Sequence, residues 1–168
     1  MEPFLPLASG LVGTVLGAAI AWFTTRRTDR LKTAFAMHRE FHSSELTRSR
    51  NEAGSTVRRY SSYDFDNMRR SLDQNDTQHV WNVMYFYQRL SLTVRYRSVH
   101  ARYVGEMFGE NFVWWYLKSY QKQLIMLDWQ AARDVQQLND WLIKHATRER
   151  YQAWVRRAET MEDPEPGQ

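Results

Sequence analysis

The 168-residue chain predicts an all-α fold, on three observations. No stretch alternates apolar and polar residues with the period of two that a half-buried strand needs. Only 7 glycines and 4 prolines punctuate the chain. Apolar residues recur every three or four positions through its C-terminal half, the spacing of a helix face. The expected architecture is a single N-terminal transmembrane helix, a helical stalk, and a cytoplasmic helical hairpin or small bundle. Its parts are an anchor at 1–25, a basic stalk at 26–60, a polar loop at 61–76, an aromatic-rich helical domain at 77–160 and a disordered acidic tail at 161–168.

The anchor is read from an uncharged run of 23 residues, Pro3 to Thr25. About 20 helical residues cross a hydrocarbon core roughly 30 Å thick. A cleaved signal peptide would need a positive leading segment, and here only Glu2 and the amino terminus precede the run. A buried soluble helix would need less apolar surface than this run carries all round. Arg26, Arg27, Arg30 and Lys32 follow at once, whereas no Lys or Arg precedes. Basic flanks stay cytoplasmic, so the expected placement is a bacterial inner membrane with the N-terminus outside and the domain in the cytoplasm. Those four residues also suit anionic lipid headgroups. Ser9, Gly13, Gly17 and Ala21 repeat every four residues, a small-residue ladder that lets two bilayer helices approach closely.

Beyond the anchor, Leu31, Ala34, Phe35, Phe41 and Leu46 suggest the same helix running on, with an interruption at His42-Ser43-Ser44. Residues 61–79 are the least apolar stretch. From Trp81 to Tyr120 the chain holds 12 of its 24 aromatics, which places the core there. Thr77 is the expected cap of a helix to about Arg97, and Ser98 of a shorter one ended by Gly109. A third pattern, Val113, Leu117, Tyr120, Leu124, Leu127, Ala131, Val135, Leu138 and Leu142, reads as one long helix of about nine turns with a single stutter. Trp81, Met84, Tyr87, Phe108, Trp114, Trp115, Leu117, Leu124 and Leu138 form the expected packing or partner face.

The segment WNVMYFYQRLSLTVRYRSVHARYVGEMFGENFVWWYLKSY carries Phe86, Tyr87, Leu90, Phe108, Gly109, Glu110, Trp114 and Trp115. In these positions it resembles an uncharacterised family of bacterial membrane-anchored helical proteins, a domain of unknown function. Gln88 stands where that family often has an acid. The resemblance implies an α-helical inner-membrane protein and no activity.

Chemistry finds little footing. His38 and His42 lie one helical turn apart, but Glu40 sits between them and not beside the first histidine, as a zinc hydrolase helix requires. The expectation is a solvated face with no metal. His79, His100 and His145 are isolated and expected to cap or face solvent. Asp128 and Asp134 are expected at solvent or paired with Arg133 or neighbouring bases. Trp114-Trp115-Tyr116 reads as core before ligand pocket. There are 19 arginines to 4 lysines, and the net charge is +7 between Arg26 and Arg102 but −2 beyond. Arg58, Arg59, Arg69 and Arg70 beside Tyr60, Tyr63 and Phe65 superficially suit nucleic acid, yet read as surface charge. No phosphate-cradling glycine loop or nucleophile motif is present. With no cysteine there is no disulfide framework.

The leading expectation is a non-enzymatic, membrane-anchored interaction, scaffold or accessory subunit without cofactor, acting on a protein partner or a second copy through helix association. The alternative is a phage- or stress-related membrane effector that oligomerises through its anchor and perturbs the bilayer. The mean hydropathy of −0.66 hides the division between an uncharged beginning and a charged remainder.

Overall fold

The computed structural model describes residues 5–60, 70, 73–124 and 129–160; the side chains of 5–13, 15, 123 and 124 lie outside that description. The fold is all-α, and no strand occurs among the described residues. The helices are α1 (Leu5–Phe41), α2 (Ser44–Arg59), α3 (Gln74–Arg95), α4 (Ala101–Trp115), α5 (Gln130–His145) and α6 (Arg148–Thr160). A π-helical segment, Tyr116–Leu124, continues directly from α4.

Local signals explain most boundaries. The polar step after Phe41 is a true break: the Ser43 hydroxyl accepts from the Leu46 amide at 3.2 Å and caps α2. Helix α3 starts earlier than Thr77, because Asp73 is the cap and its carboxylate accepts from the Asp76 amide at 2.7 Å. It ends at Arg95. There the amides of Arg97 and Ser98 turn back to the carbonyls of Val94 and Thr93 at 3.0 and 2.9 Å. That closure requires a left-handed residue, and Arg97 takes it with φ 53° where glycine is usual. Helix α4 is flanked by His100 rather than capped at Ser98, and it runs straight through Gly109.

Gly109 does not end the helix because it serves packing. A Cβ there would lie 2.4 Å from the Trp154 ring, so α6 closes on α4 only over a bare backbone. The expected nine-turn helix does not form either. After Trp115 the chain widens into the π segment, and a fresh helix starts at Gln130, within the stutter between Leu127 and Val135. In a π turn residues five apart align, and Trp115 and Tyr120 stack at 6.3 Å.

The core is aromatic and centres on Phe41, the last residue of α1. Its ring lies 5.2 Å from Phe86 and 5.6 Å from Phe108, and Phe86 and Phe108 are 5.7 Å apart. Tyr87 continues this cluster onto Phe112 at 5.2 Å. The stretch expected as a stalk therefore divides. Ala34, Met37, Phe41, Leu46, Ala53 and Val57 are buried in the same core as α3 and α4, and α2 lies along α3. Residues 20–29 of α1, by contrast, are exposed. Of the polar loop expected at 61–76, residues 61–69, 71 and 72 lie outside the described residues, while 74–76 already belong to α3 behind the Asp73 cap; the tail at 161–168 lies outside them too.

Asp134 is not at solvent, but it does pair with a base, Arg95 of α3. It is 1% exposed and clamps α5 to α3. Its carboxylate accepts from Arg95 at 2.6 Å, Gln130 at 2.9 Å and Gln88 at 3.0 Å, while its carbonyl accepts from the Ser91 hydroxyl at 2.5 Å. A buried carboxylate is tolerated because every direction around it is donor-filled.

Two consequences can be measured by chemical denaturation. Gly109→Ala loses about 1–3 kcal/mol by overpacking against Trp154. Gly54→Ala, whose new Cβ meets nothing nearer than 4.0 Å, instead gains about 0.5–1 kcal/mol from helix propensity. Separately, Asp134→Leu and Arg95→Leu each destabilise, the former by about 3 kcal/mol. The double variant costs less than their sum, because neither charge is then left alone.

Candidate functional site

Two regions stand out once the core is accounted for: the free half of α1 and the buried polar groups beneath α2. The first is apolar and open. Leu16, Ile20, Trp22 and Phe23 are 54–66% exposed, and a Cβ on Gly17 would have nothing within 4 Å. Arg26 places its guanidinium 4.9 Å above the Trp22 ring. Burying each such side chain is worth about 1.5–3 kcal/mol, so this surface calls for an apolar neighbour. Of the expected association ladder, Gly17 and Ala21 lie on this open half, while the side chains of Ser9 and Gly13 lie outside the described residues. No helix among the described residues is long and apolar enough to cross a membrane.

The expected partner face is largely interior. Met84, Tyr87, Phe108, Trp115 and Leu138 are buried; Trp81, Trp114 and Leu117 are half-buried against them. The side chain of Leu124 and all of Leu127 and Asp128 lie outside the described residues. Trp81 stacks between Tyr85 and Trp129 at 5.9 and 5.7 Å. Phe86, Leu90 and Gly109 are also buried, and Glu110 bonds Arg157 of α6 at 2.7 Å.

Beneath α2 lies a set of polar atoms that sequence patterning missed. The hydroxyls of Tyr87 and Tyr120 are enclosed without a hydrogen-bond partner among the described residues, as is Arg50 Nε. Burial pushes both phenols well above their ordinary range, and for Tyr87 the nearby Arg50 offsets part of that rise. Burial also lowers Arg50, whose guanidinium sits 3.9 Å over the Phe41 ring. Two neutral phenols and one cation packed among aromatic rings make a rigid polar interior. They supply neither a base nor a nucleophile at neutral pH.

The histidines separate by environment. The His38 and His42 rings meet at 4.5 Å, tilted by 54°, and burial, His38 and Arg50, in that order, lower the His42 pKa. Among the described residues no group of three His, Asp or Glu could hold a metal ion. His79 neither caps nor faces solvent: its Nδ1 lies 3.2 Å from the Ser49 hydroxyl, across from α3 to α2. Ser49 is 1% exposed and out of any substrate's reach. His145 packs flat on Trp141 at 4.4 Å. Arg59, weighed above for nucleic acid, pairs instead with Asp76 at 3.7 Å. Arg69, Tyr63 and Phe65 lie outside the described residues.

Grooves mark the surface. One of about 220 Å³ lies where α1 turns into α2 and is bridged by the Glu40–Arg89 ion pair. Another of about 350 Å³ lies beside the α3–α4 turn and is lined by Arg30, Arg97, His100 and His145.

Comparison with protein-family models, curated proteins and solved structures finds no match.

The buried phenols invite a direct comparison by thermal melting. Tyr87→Phe removes an unpartnered hydroxyl and leaves stability unchanged or raised by up to about 1 kcal/mol. Tyr151→Phe removes a hydroxyl bonded to the buried Asn139 at 2.8 Å and costs about 1–2 kcal/mol.

Proposed function

We propose that this chain is a single-pass integral membrane protein whose helical bundle serves as a non-enzymatic interaction or accessory module. The observation that carries this reading is the division of α1. One unbroken helix is packed into the bundle from Ala34 onward, yet shows Leu16, Ile20, Trp22 and Phe23 to the outside before that point. An uncharged run over 3–25 followed by Arg26, Arg27, Arg30 and Lys32 is the pattern of a bilayer segment with a cytoplasmic basic flank. Trp22, held under Arg26, sits where an interfacial aromatic belongs. The bundle then lies on the cytoplasmic side of a bacterial inner membrane, a placement that also agrees with the family resemblance noted above.

Helix association is the activity such a segment supports. Gly17 and Ala21 continue the small-residue ladder begun by Ser9 and Gly13, and the Gly17 position is open to a second backbone. A second copy or a partner's membrane helix is the proposed occupant. The interior of the bundle supports no catalytic role, since its chemistry-bearing groups are consumed in packing or shielded from solvent.

Alkaline carbonate extraction of membranes tests the anchor. The full chain is expected to stay in the pellet, and a chain lacking residues 1–25 to move to the supernatant. Release of the full chain overturns the reading. In a bilayer two-hybrid assay, Gly13→Leu/Gly17→Leu is expected to cut self-association several-fold, with no change if the ladder is merely compositional.

A further inference from the structure

The groove beside the α3–α4 turn gathers basic side chains from three separate parts of the chain. Arg30 comes from α1, Arg97 and His100 from the turn, and His145 from the end of α5, and no carboxylate lines the space of about 350 Å³. Five other arginines of the bundle are paired: Arg59 with Asp76, Arg89 with Glu40, Arg95 with Asp134, Arg102 with Glu106 and Arg157 with Glu110. Arg30 Nε and His100 Nδ1 are each enclosed, yet neither has a hydrogen-bond partner among the described residues. Arg30 Nε is a donor, and His100 Nδ1 is one in the tautomer that carries its proton there; buried donors are ordinarily satisfied, so the cavity calls for an acceptor.

Two further features converge on the same point. Helix α4, 15 residues long, begins at the cavity wall with Ala101. It has no side-chain cap and no acid in its first turn, so its dipole is uncompensated there, although the Tyr103 amide turns back to the His100 carbonyl at 3.0 Å. Arg97 holds the left-handed position where glycine closes such turns without strain. An arginine kept there at a cost of about 1 kcal/mol places a cation at the groove.

From this geometry we infer that the groove formed by Arg30, Arg97, His100, His145 and the start of α4 is a binding site for a phosphate group. Arginine presents a planar fork of donors suited to phosphate oxygens, and a helix start adds amides aimed at the same charge. Trp141, stacked on His145, gives the cavity an apolar wall against which a glycerol or acyl portion could lie. Arg30 is five residues past Thr25, about 7.5 Å along the helix at 1.5 Å per residue. If α1 is anchored as proposed, the cavity lies at headgroup depth and the phosphate belongs to an anionic lipid. A soluble phosphate satisfies the same chemistry, and the site itself does not depend on the anchor.

The test uses the full chain with two probes. Phosphatidylglycerol is offered in nanodiscs against a phosphatidylcholine control and read by native mass spectrometry. Inorganic phosphate is titrated calorimetrically in zwitterionic detergent. The variants are Arg30→Gln and Arg97→Gly, with Lys122→Gln as a control at an exposed base of the π segment, away from the groove. The expected result is one retained phosphatidylglycerol per chain, weakened at least tenfold in Arg30→Gln and Arg97→Gly and unchanged in Lys122→Gln. Arg97→Gly melts at or above the parent temperature, because glycine relieves the left-handed strain, so its loss of ligand is not unfolding. Saturable inorganic phosphate binding, lost in the same two variants, assigns the site to a free phosphate; retention of lipid alone assigns it to a headgroup. The inference is overturned if neither probe saturates the parent chain, or if both variants bind as the parent does. A chain that binds phosphate in detergent yet is released by carbonate refutes the anchor and keeps the site.

Discussion

A helix has one backbone geometry along its length, and α1 must satisfy two different surroundings with it. From Ala34 to Phe41 it delivers Ala34, Met37 and Phe41 into the bundle, and Phe41 is the residue on which Phe86 and Phe108 close. Over 20–29 its side chains meet little of the bundle. Because no break separates the two halves, whatever holds the first half orients the second. The positions of α2, α3 and α4 follow from Phe41: α2 begins after the Ser43 cap only two residues later and lies along α3, while α3 and α4 supply the rings that enclose it.

Packing beyond that centre relies on small and polar devices more than on added apolar bulk. Gly109 lets the Trp154 ring sit against the α4 backbone, which fixes α6. Asp134 gathers Gln88, Ser91 and Arg95 from α3 around one buried carboxylate, which fixes α5. Such a charge is a weak source of stability but a strict geometrical requirement, since any other register leaves it unpaired. Gln88, where the resembling family often carries an acid, is a donor here; an acid in its place would confront Asp134.

The elements differ in how far local sequence shows them. The break after Phe41 was legible, because His42-Ser43-Ser44 puts a capping hydroxyl just before a new helix. The concentration of aromatics between Trp81 and Tyr120 correctly located the core, since nothing else in the chain buries comparable area. Gly109 misled: a glycine after Phe108 looks like a stop, and only Trp154, 45 positions away, shows that it is a contact surface. The apolar stripe from Val113 to Leu142 misled for a related reason. Its spacing continues across a change of helix, because both helices face the same core and periodicity records the face rather than the continuity of the backbone. The candidate phosphate site was barely visible. Arg30 stood out as a flanking base, but nothing local joins it to Arg97, His100 and His145.

By itself the sequence determined the helical class, the uncharged opening run with its basic flank, and the place of the aromatic core. Each is set by composition or by spacing within a few residues, where the helix repeat imposes its own rule. The tertiary structure alone decided that Asp134 is buried, that Gly109 is a seat for Trp154, and that four bases from three separate elements share one cavity. Those outcomes depend on which distant surfaces meet, and a pairing between residues 39 to 115 positions apart leaves no period in the chain to read.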